Sequence, residues 1–418
     1  MLVLLFVVLA GSALVLGRLS SGASVDLSKL KMNILDLQDN PSLETAADTA
    51  EKETTAETKP VSKSQETPAA KSTEKGNSSG FTLTVGGSIS LSGEVRKNSR
   101  STDAKVADYA DVMMLLAPEI RSDVNIVFLE NLCSDRYKAS DYMAPGNAAM
   151  LLKEAGFDTA ACGFSQAYVN GKGGVEETLM SLDSRGIRAL GIRYADEAEI
   201  PGIRTVNGIR AAFVQYTTTV PDKTRKSMKK DGTDGMIPEA ELSIITQEIN
   251  LARQQGAEAV IVMLSWGKTG GNGPDKTQRE LASGIAEAGA DLIIGCGSHT
   301  PQNAEYLTGK DGRKVLCIWS LGTLLSGDRN GVKRMSGYLL HVNVRSDGQG
   351  GTLILDPEYT PVYTWKYKQD GRFYYRCIAA NGEAPDGMDN DQRKTMAKAA
   401  ELVEETLDEA PLVERVTE

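Results

Sequence analysis

The first apolar stretch, Met1 to Gly17, carries no charge and is built almost wholly from Leu, Val, Ala and Phe. It lies at the short end of the ~17–25 residues that cross a bilayer as a helix. Residues 1–18 therefore predict a single N-terminal membrane anchor. The competing reading is a secretory signal peptide cut after Ala23, where Ser21 and Ala23 supply small residues. Arg18 follows the apolar run, so positive charge specifies orientation only weakly. In the juxtamembrane segment 19–40, Leu27, Leu30, Ile34 and Leu37 recur at helical spacing. Over 41–80 the apolar pattern collapses into Thr, Glu, Lys, Ser and Ala, with no aromatic residue and no Ile. Such a stretch buries too little apolar area to offset its chain entropy. It predicts a disordered tether with an r.m.s. reach of ~35 Å.

From Phe81 onward, short β-branched runs alternate with amphipathic stretches. Strands are predicted at Phe81 to Val85, Asn125 to Leu129, Phe157 to Cys162 and Ile187 to Leu190, and helices at Ala104 to Leu116, from Pro145 to Ala155 and at Val175 to Leu182. Asn207-Gly208 joins two β runs and is a strong hairpin signal. Leu242, Ile245, Ile249 and Ala252 line one helix face, and Leu281, Ile285 and Ala288 another. Val260 to Leu264 reads as a strand buried on both faces, and Asp291 to Ile294 as its neighbour. From Ala304 the pattern turns all-β: Ala304 to Leu307 pairs with Val315 to Trp319, Tyr338 to Val344 follows, and Leu353 to Ala380 has turn signals at Asp356-Pro357 and Asp370-Gly371. Asp391 to Leu407 predicts a closing helix with a solvated face. These βα units followed by antiparallel strands predict an α/β sandwich, with the main domain at 81–346 and a C-terminal β extension and helix of the same domain at 347–418.

Composition narrows the class. The chain has 418 residues, 41% hydrophobic and 24% charged, with a net charge of −10, which is enough for a sizeable core. Its Lys and Arg are scattered among carboxylates, which argues against nucleic acid as a partner. No GxGxxG opens a helix and no Walker A run is present, so Gly270-Gly271-Asn272-Gly273 reads as a flexible loop. Five Cys in an exported chain neither demand nor exclude a disulfide. Only 2 His are present, fewer than a metallohydrolase normally devotes to its metals.

Several phrases are more specific. Gly156-Phe157-Asp158 followed by Cys162-Gly163-Phe164-Ser165-Gln166, Leu264-Ser265-Trp266-Gly267, the run from Ala288 to His299, Ser320-Leu321-Gly322-Thr323, Asn131-Leu132 and Gly86-Gly87-Ser88-Ile89 stand in family order. Together they resemble the CapA family of poly-gamma-glutamate capsule synthesis proteins. The resemblance implies a metallophosphoesterase-like αββα sandwich of two packed mixed β-sheets. It also implies two divalent cations ~3.5–4 Å apart, held by carboxylates and imidazoles. At the matching positions this chain has Ser88 for an Asp, Cys133 for a Glu, Ser165 and Gln166 for Asn and His, and Ser265 for a His. Cys296 and Gly297 replace imidazoles, Thr323 replaces an Asn, and His299 remains.

These substitutions imply a pseudoenzyme: the family scaffold without the dinuclear metal centre, and with no cofactor. The expected site is the old cleft, lined by Ser88, Asn131, Cys133, Ser165, Gln166, Ser265, Trp266 and Cys296, with His299 as the candidate catalytic residue. The expected partners are an anionic cell-surface polymer or other capsule-synthesis proteins in the membrane, with the folded domain extracellular or, if the N-terminal segment is cleaved, secreted. Two other readings stay open: a hydrolase of capsule or cell-wall polymer using His299 with Cys296, and a structural envelope protein. Cys296 and His299 have a C-x-x-H spacing that would suit zinc if Cys133 joined them, but a disulfide or apolar filling is the plainer expectation. Strand alternation predicts that Glu130 turns away from Asn131 to be solvated or paired. His341, inside a strand, is expected to be structural.

Overall fold

The computed structural model describes residues 79–98, 109, 111–196 and 202–415. The predicted membrane segment 1–18, the juxtamembrane segment and nearly all of the tether lie outside these residues. Among the described residues no helix is long and apolar enough to cross a membrane.

The chain begins with β1 (Gly80–Ile89), α1 (Gly93–Asn98), β2 (Val124–Leu129), β3 (Leu132–Cys133), β4 (Met143–Ala144), α2 (Ala148–Ala155), β5 (Thr159–Ala161), α3 (Gly171–Asp183) and β6 (Arg188–Leu190). It continues through β7 (Gly202–Val206), β8 (Ile209–Thr217), α4 (Asp222–Asp231), α5 (Leu242–Gln254), β9 (Ala259–Ser265), α6 (Lys276–Ala288), β10 (Leu292–Cys296), β11 (Pro301–Thr308) and β12 (Lys314–Leu321). It closes with β13 (Thr323–Leu325), β14 (Ser336–Ser346), β15 (Thr352–Gln369), β16 (Arg372–Ala379), α7 (Asn390–Leu407) and β17 (Val413–Glu414).

Two mixed sheets result. One has the order β16-β15-β14-β1-β2-β5-β6, with β13 on β1 and β17 on β15, and the other the order β11-β12-β10-β9-β8-β7. Strand alternation sets the layers. Phe81, Leu83 and Val85 of β1 meet Phe213, Ile261, Met263 and Ile294 of the other sheet in a core between the two. The outer face of the second sheet, through Val260, Val262 and Leu264, meets Ile245 and Ile249 of α5 and Ala282 and Ile285 of α6. Every residue of β9 is buried for that reason. Val127 and Leu129 face the other way, toward Leu151 and Leu152 of α2 and Val175 and Leu182 of α3. Each such aliphatic side chain contributes about 1.5–3 kcal/mol by leaving water. The architecture is a helix–sheet–sheet–helix sandwich of two mixed sheets.

Local signals explain most elements. Asn207 and Gly208 both take positive φ, 46° and 89°, as a type I′ turn requires, and set Val206 against Ile209. Asp370 and Gly371 repeat this between β15 and β16. Three expectations change. Asp356-Pro357 is no turn: β15 runs through it, with Leu355 paired to Asn343 and Glu358 to His341. Pro cannot donate to a ladder, and a bulge absorbs it. The described part of the helix expected at Ala104 to Leu116 is a series of turns. Val112 directs its carbonyl to the N–H of Cys377 on edge strand β16 at 2.8 Å, so that oxygen is spent outside any helix. The closing helix α7 is not merely solvated, because it buries Met396, Ala399, Val403 and Leu407 behind an Asp389–Gln392 capping box.

The second sheet is tied to its helices by Asp291, whose side chain is 2% exposed and takes Arg253 at 2.5 Å and Arg313 at 2.7 Å. It also accepts the N–H of Val260 at 2.6 Å. Asp291→Ala leaves two guanidinium groups and a strand N–H without their acceptor. Chemical denaturation should show a loss of about 3 kcal/mol, and an unchanged midpoint would remove this carboxylate from the fold's supports.

Candidate functional site

The carboxyl ends of β1, β2, β5, β9 and β10 open toward one another, and the residues just beyond them enclose a cavity of about 380 Å³. Its wall carries Ser90, Ser92, Ser165, Thr219, Ser265 and Thr269 with their hydroxyls, Tyr142, Phe164, the carboxyl residues Glu130 and Asp141, Trp266 and His299. Four of the expected site residues, Ser165, Ser265, Trp266 and His299, thus meet on one wall although they come from separate stretches of chain. Gln215, reaching from β8, donates to Ser265 Oγ at 3.1 Å and to the Gly163 carbonyl at 3.0 Å. It fixes the loop that presents Ser165. Trp266 donates its indole N–H to the Trp319 carbonyl at 2.9 Å and stacks on that ring.

The other expected residues lie behind or away from the wall. Ser88 and Cys296 are fully buried beneath it. Asn131 is buried, and its carbonyl oxygen accepts from Leu91 N at 2.7 Å while its amide donates to the Asp141 carbonyl at 2.9 Å. It braces two rim loops and does not line the cavity. Cys133 sits in β3, its N–H donating to Thr178 of α3 at 2.9 Å. Gln166 is half-buried and off the wall. All five cysteines are buried and free, and burial pushes the Cys133 thiol up to about 12 and that of Cys296 far above its ordinary value. The glycine loop is held by its neighbours: Gly270 donates to the Ser298 carbonyl at 2.7 Å, and the Gly271 carbonyl accepts from Thr300 at 2.7 Å and Gln302 at 3.0 Å.

His299 is the hub. Its φ of 57° is left-handed, a costly conformation for a non-glycine residue. Its carbonyl accepts from Thr323 Oγ1 at 3.1 Å. The ring places Nε2 3.2 Å from Glu130 Oε2 and Nδ1 3.5 Å from Ser88 Oγ. Glu130 turns away from Asn131 and is paired, as expected, its partner being His299; β2 ends at Leu129, and the side chain lies on the cavity wall. Arg334 and Asp328, which no sequence pattern marked, stand beside the pair. Asp328 accepts from Arg334 at 2.9 and 2.8 Å, and Arg334 also donates to the Ser298 carbonyl at 3.1 Å. Burial raises the Glu130 carboxyl to about 8, against the opposing pull of the Arg334 cation. Burial, aided by Arg334, lowers His299 to about 4. At neutral pH the contact joins a neutral carboxyl to a neutral imidazole, not two ions.

A dinuclear cation centre needs several free anionic or imidazole donors around each ion. Among the described residues no group of three or more His, Cys, Asp or Glu is placed to hold a metal ion. Glu130 and His299 are spent on each other, and Arg334 adds a fixed positive charge. These residues do not fit such a centre. His341 belongs elsewhere: Thr84 lies 3.0 Å from its Nδ1 and Thr360 3.0 Å from its Nε2, with Arg415 3.1 Å from Nδ1. It is a structural histidine, held down to about 3 by burial and by Arg415.

The shifts have a sign that stability reads directly. Glu130 keeps its proton in the folded state up to about pH 8, whereas the unfolded chain releases it above the ordinary value of 4.5. Its protonation therefore favours folding at low pH, and that support drains away as pH rises from about 4.5 to 8. Glu130→Gln removes the titration. The melting temperature of this variant relative to the parent should climb between pH 5 and 8, and a constant difference would contradict a neutral Glu130.

A model of the bacterial capsule synthesis protein family PGA_cap matches residues 82–328, which contain every residue of the cavity wall. The PGA biosynthesis protein CapA of Bacillus subtilis (strain 168) is 26% identical over 203 residues, covering 48% of this chain and 50% of that protein. The capsule biosynthesis protein CapA of Bacillus anthracis is 25% identical over 207 residues, covering 49% and 48%. The chain thus spans about half the length of these curated relatives. The calcineurin-like phosphoesterase YfkN from Bacillus subtilis aligns with 10% identity and a TM-score of 0.40, covering 78% of this chain and 98% of that one. With the family model matched over more than half of the chain and the whole cavity wall, this chain belongs to the bacterial capsule synthesis protein family PGA_cap.

Proposed function

We propose that this protein is a cell-envelope member of the capsule synthesis family that holds a segment of an anionic surface polymer in the cavity, without a dinuclear metal centre. The single observation that carries the reading is the cavity itself. It stays open, about 380 Å³, within the range of small-molecule sites, where a purely structural protein would have filled the cleft with side chains. Six hydroxyls on its wall match a chain rich in hydrogen-bonding groups. Among the described residues no Lys or Arg lines it, so it engages the uncharged part of such a polymer and leaves the anionic groups in solvent. The names of the Bacillus relatives supply the biological setting, capsule and PGA biosynthesis. Residues 1–18 would hold the domain at the outer face of the membrane, beside other capsule-synthesis proteins.

A second reading, hydrolysis of capsule or cell-wall polymer, is favoured by one observation: Glu130 and His299 form a pair whose proton affinities are pushed apart, as in acid–base sites. Cys296 is an unsuitable nucleophile, because its thiol is fully buried and held protonated. His299→Ala separates the readings: a lost turnover of labelled polymer favours the hydrolase, and retained binding without turnover in the parent favours the binding protein.

Binding is tested on the full chain with poly-gamma-glutamate and with soluble cell-wall glycan, read by tryptophan fluorescence, since Trp266 is one of only 3 Trp and sits on the wall. Ser165→Trp, which fills the cavity from its rim, should weaken binding by about tenfold or more, equivalent to about 1.4 kcal/mol, while leaving the melting temperature near that of the parent. Unaltered affinity would move the binding site elsewhere.

A further inference from the structure

The buried chain of polar groups beneath the cavity has a direction, set at its closed end. The Gly322 carbonyl can only accept, and it takes the Ser88 backbone N–H at 2.9 Å with Ser88 Oγ 3.4 Å away. With its hydroxyl proton turned to that carbonyl, Ser88 has only lone pairs for His299 Nδ1 at 3.5 Å. His299 then carries its proton on Nδ1, and its Nε2 is an acceptor. The group opposite Nε2, Glu130 Oε2 at 3.2 Å, must donate. The remaining carboxyl oxygen, Oε1, is an acceptor to which no described side chain or backbone N–H is seen to donate, on a residue that lines the cavity. The opposite polarity would turn the Ser88 hydroxyl away from the Gly322 carbonyl and require either an ionised carboxylate, which burial opposes by raising Glu130 to about 8 and lowering His299 to about 4, or a carboxyl proton moved to Oε1. The other charged or titratable groups facing the pair do not reverse this: Arg334 is bound to Asp328, Cys296 is protonated, and Asp141 accepts the N–H of Gly93 at 3.0 Å.

We infer that Glu130 is the ligand-contacting residue of this cavity, with His299 and Ser88 as its positioning residues, and that it accepts a hydrogen bond from a hydroxyl of a neutral sugar unit. The inference rests on the reading of the cavity as the polymer-binding site and names the unit bound there. Both ring nitrogens of His299 are engaged by protein groups, so the histidine that stands out in the sequence is not the group left free to meet a ligand. A sugar fits the rest of the wall. Its hydroxyls both donate and accept, as do the serine and threonine hydroxyls around it, and its apolar ring face suits Phe164 and the half-exposed Tyr142. An anionic unit would instead face two carboxyls and, among the described residues, no cation on the wall.

Two measurements on the full chain test this. With only two histidines, imidazole ¹⁵N resonances are assigned by one variant, His299→Gln. His299 should be the neutral Nδ1–H tautomer from pH 5.5 to 7, and an imidazolium at pH 6 or an Nε2–H tautomer would overturn the assigned polarity. Binding is then titrated with peptidoglycan glycan strands stripped of their peptides and, separately, with a γ-glutamyl tetramer. Glu130→Gln can donate from its amide to Nε2 and keep an oxygen toward the cavity, so it should bind glycan within about threefold of the parent. Glu130→Ala should lose about tenfold, the worth of one hydrogen bond. Equal losses in the two variants, or Glu130-dependent binding of the γ-glutamyl tetramer in place of glycan, would overturn the proposal. Glycan binding with the wrong tautomer sinks the role of Glu130 and leaves the polymer reading standing. The right tautomer with no binding of either probe sinks the sugar assignment together with that reading.

Discussion

The chain passes from one sheet to the other at Gly322. β12 belongs to the second sheet, β13 pairs with β1 of the first, and a single residue separates them. The backbone is so close there that a Cβ on Gly87 would lie 2.5 Å from the Gly322 carbonyl, and one on Gly322, whose φ is 72°, 2.7 Å from Pro301 N. Two glycines therefore let the sheets converge at their carboxyl ends. β1 bulges between Gly86 and Ser88 at this point, which aims Ser88 at His299. The Gly322 carbonyl then receives the Ser88 N–H and lies 3.6 Å from Cys296 Sγ. The floor of the cavity is in effect the seam between the sheets.

Enclosure at that seam decides the site's chemistry. Placing a carboxyl and an imidazole out of water disfavours the charged form of each, so a contact that resembles an ion pair by distance becomes a neutral hydrogen bond. Arg334, a guanidinium, is paired directly with Asp328. The family's metal chemistry requires the opposite arrangement, open anionic donors gathered around cations. Here Ser and Cys stand beneath the cavity, and Glu130, His299, Arg334 and Asp328 satisfy one another.

The two histidines show how one strand serves both ends of the sandwich. Thr84 and Ser88 lie on β1, the first against His341 and the second against His299. At the Thr84 end both ring nitrogens of His341 are held by side chains of β1, β15 and the C-terminal segment through Arg415. That histidine pins the chain terminus to the sheet. At the Ser88 end the ring borders a cavity. The same residue type is mortar at one end and part of a cavity wall at the other, and the difference is whether the loops beyond the strands close over it.

Much of this was legible in the sequence, and for local reasons. The Asn207-Gly208 and Asp370-Gly371 turns, the doubly buried β9, the amphipathic faces of α5 and α6 and the helix stop at Gly156 follow from backbone preference and periodicity, which neighbouring residues carry by themselves. The motif stretches also sufficed to bring Ser165, Ser265, Trp266 and His299 together. Asp356-Pro357, the turns around Val112 and the docked face of α7 were not legible, because each depends on a partner far along the chain. Arg334 and Asp328 escaped for the same reason, as did the identity of Glu130's partner: a lone charged residue in a loop has no periodicity, and its neighbours come from distant segments. Sequence by itself determined the family, since the identity and order of the motif residues are enough for that. Which of the remaining groups meets the cavity, and in which protonation state, only the tertiary structure decided, because burial and hydrogen-bond direction arise between distant segments.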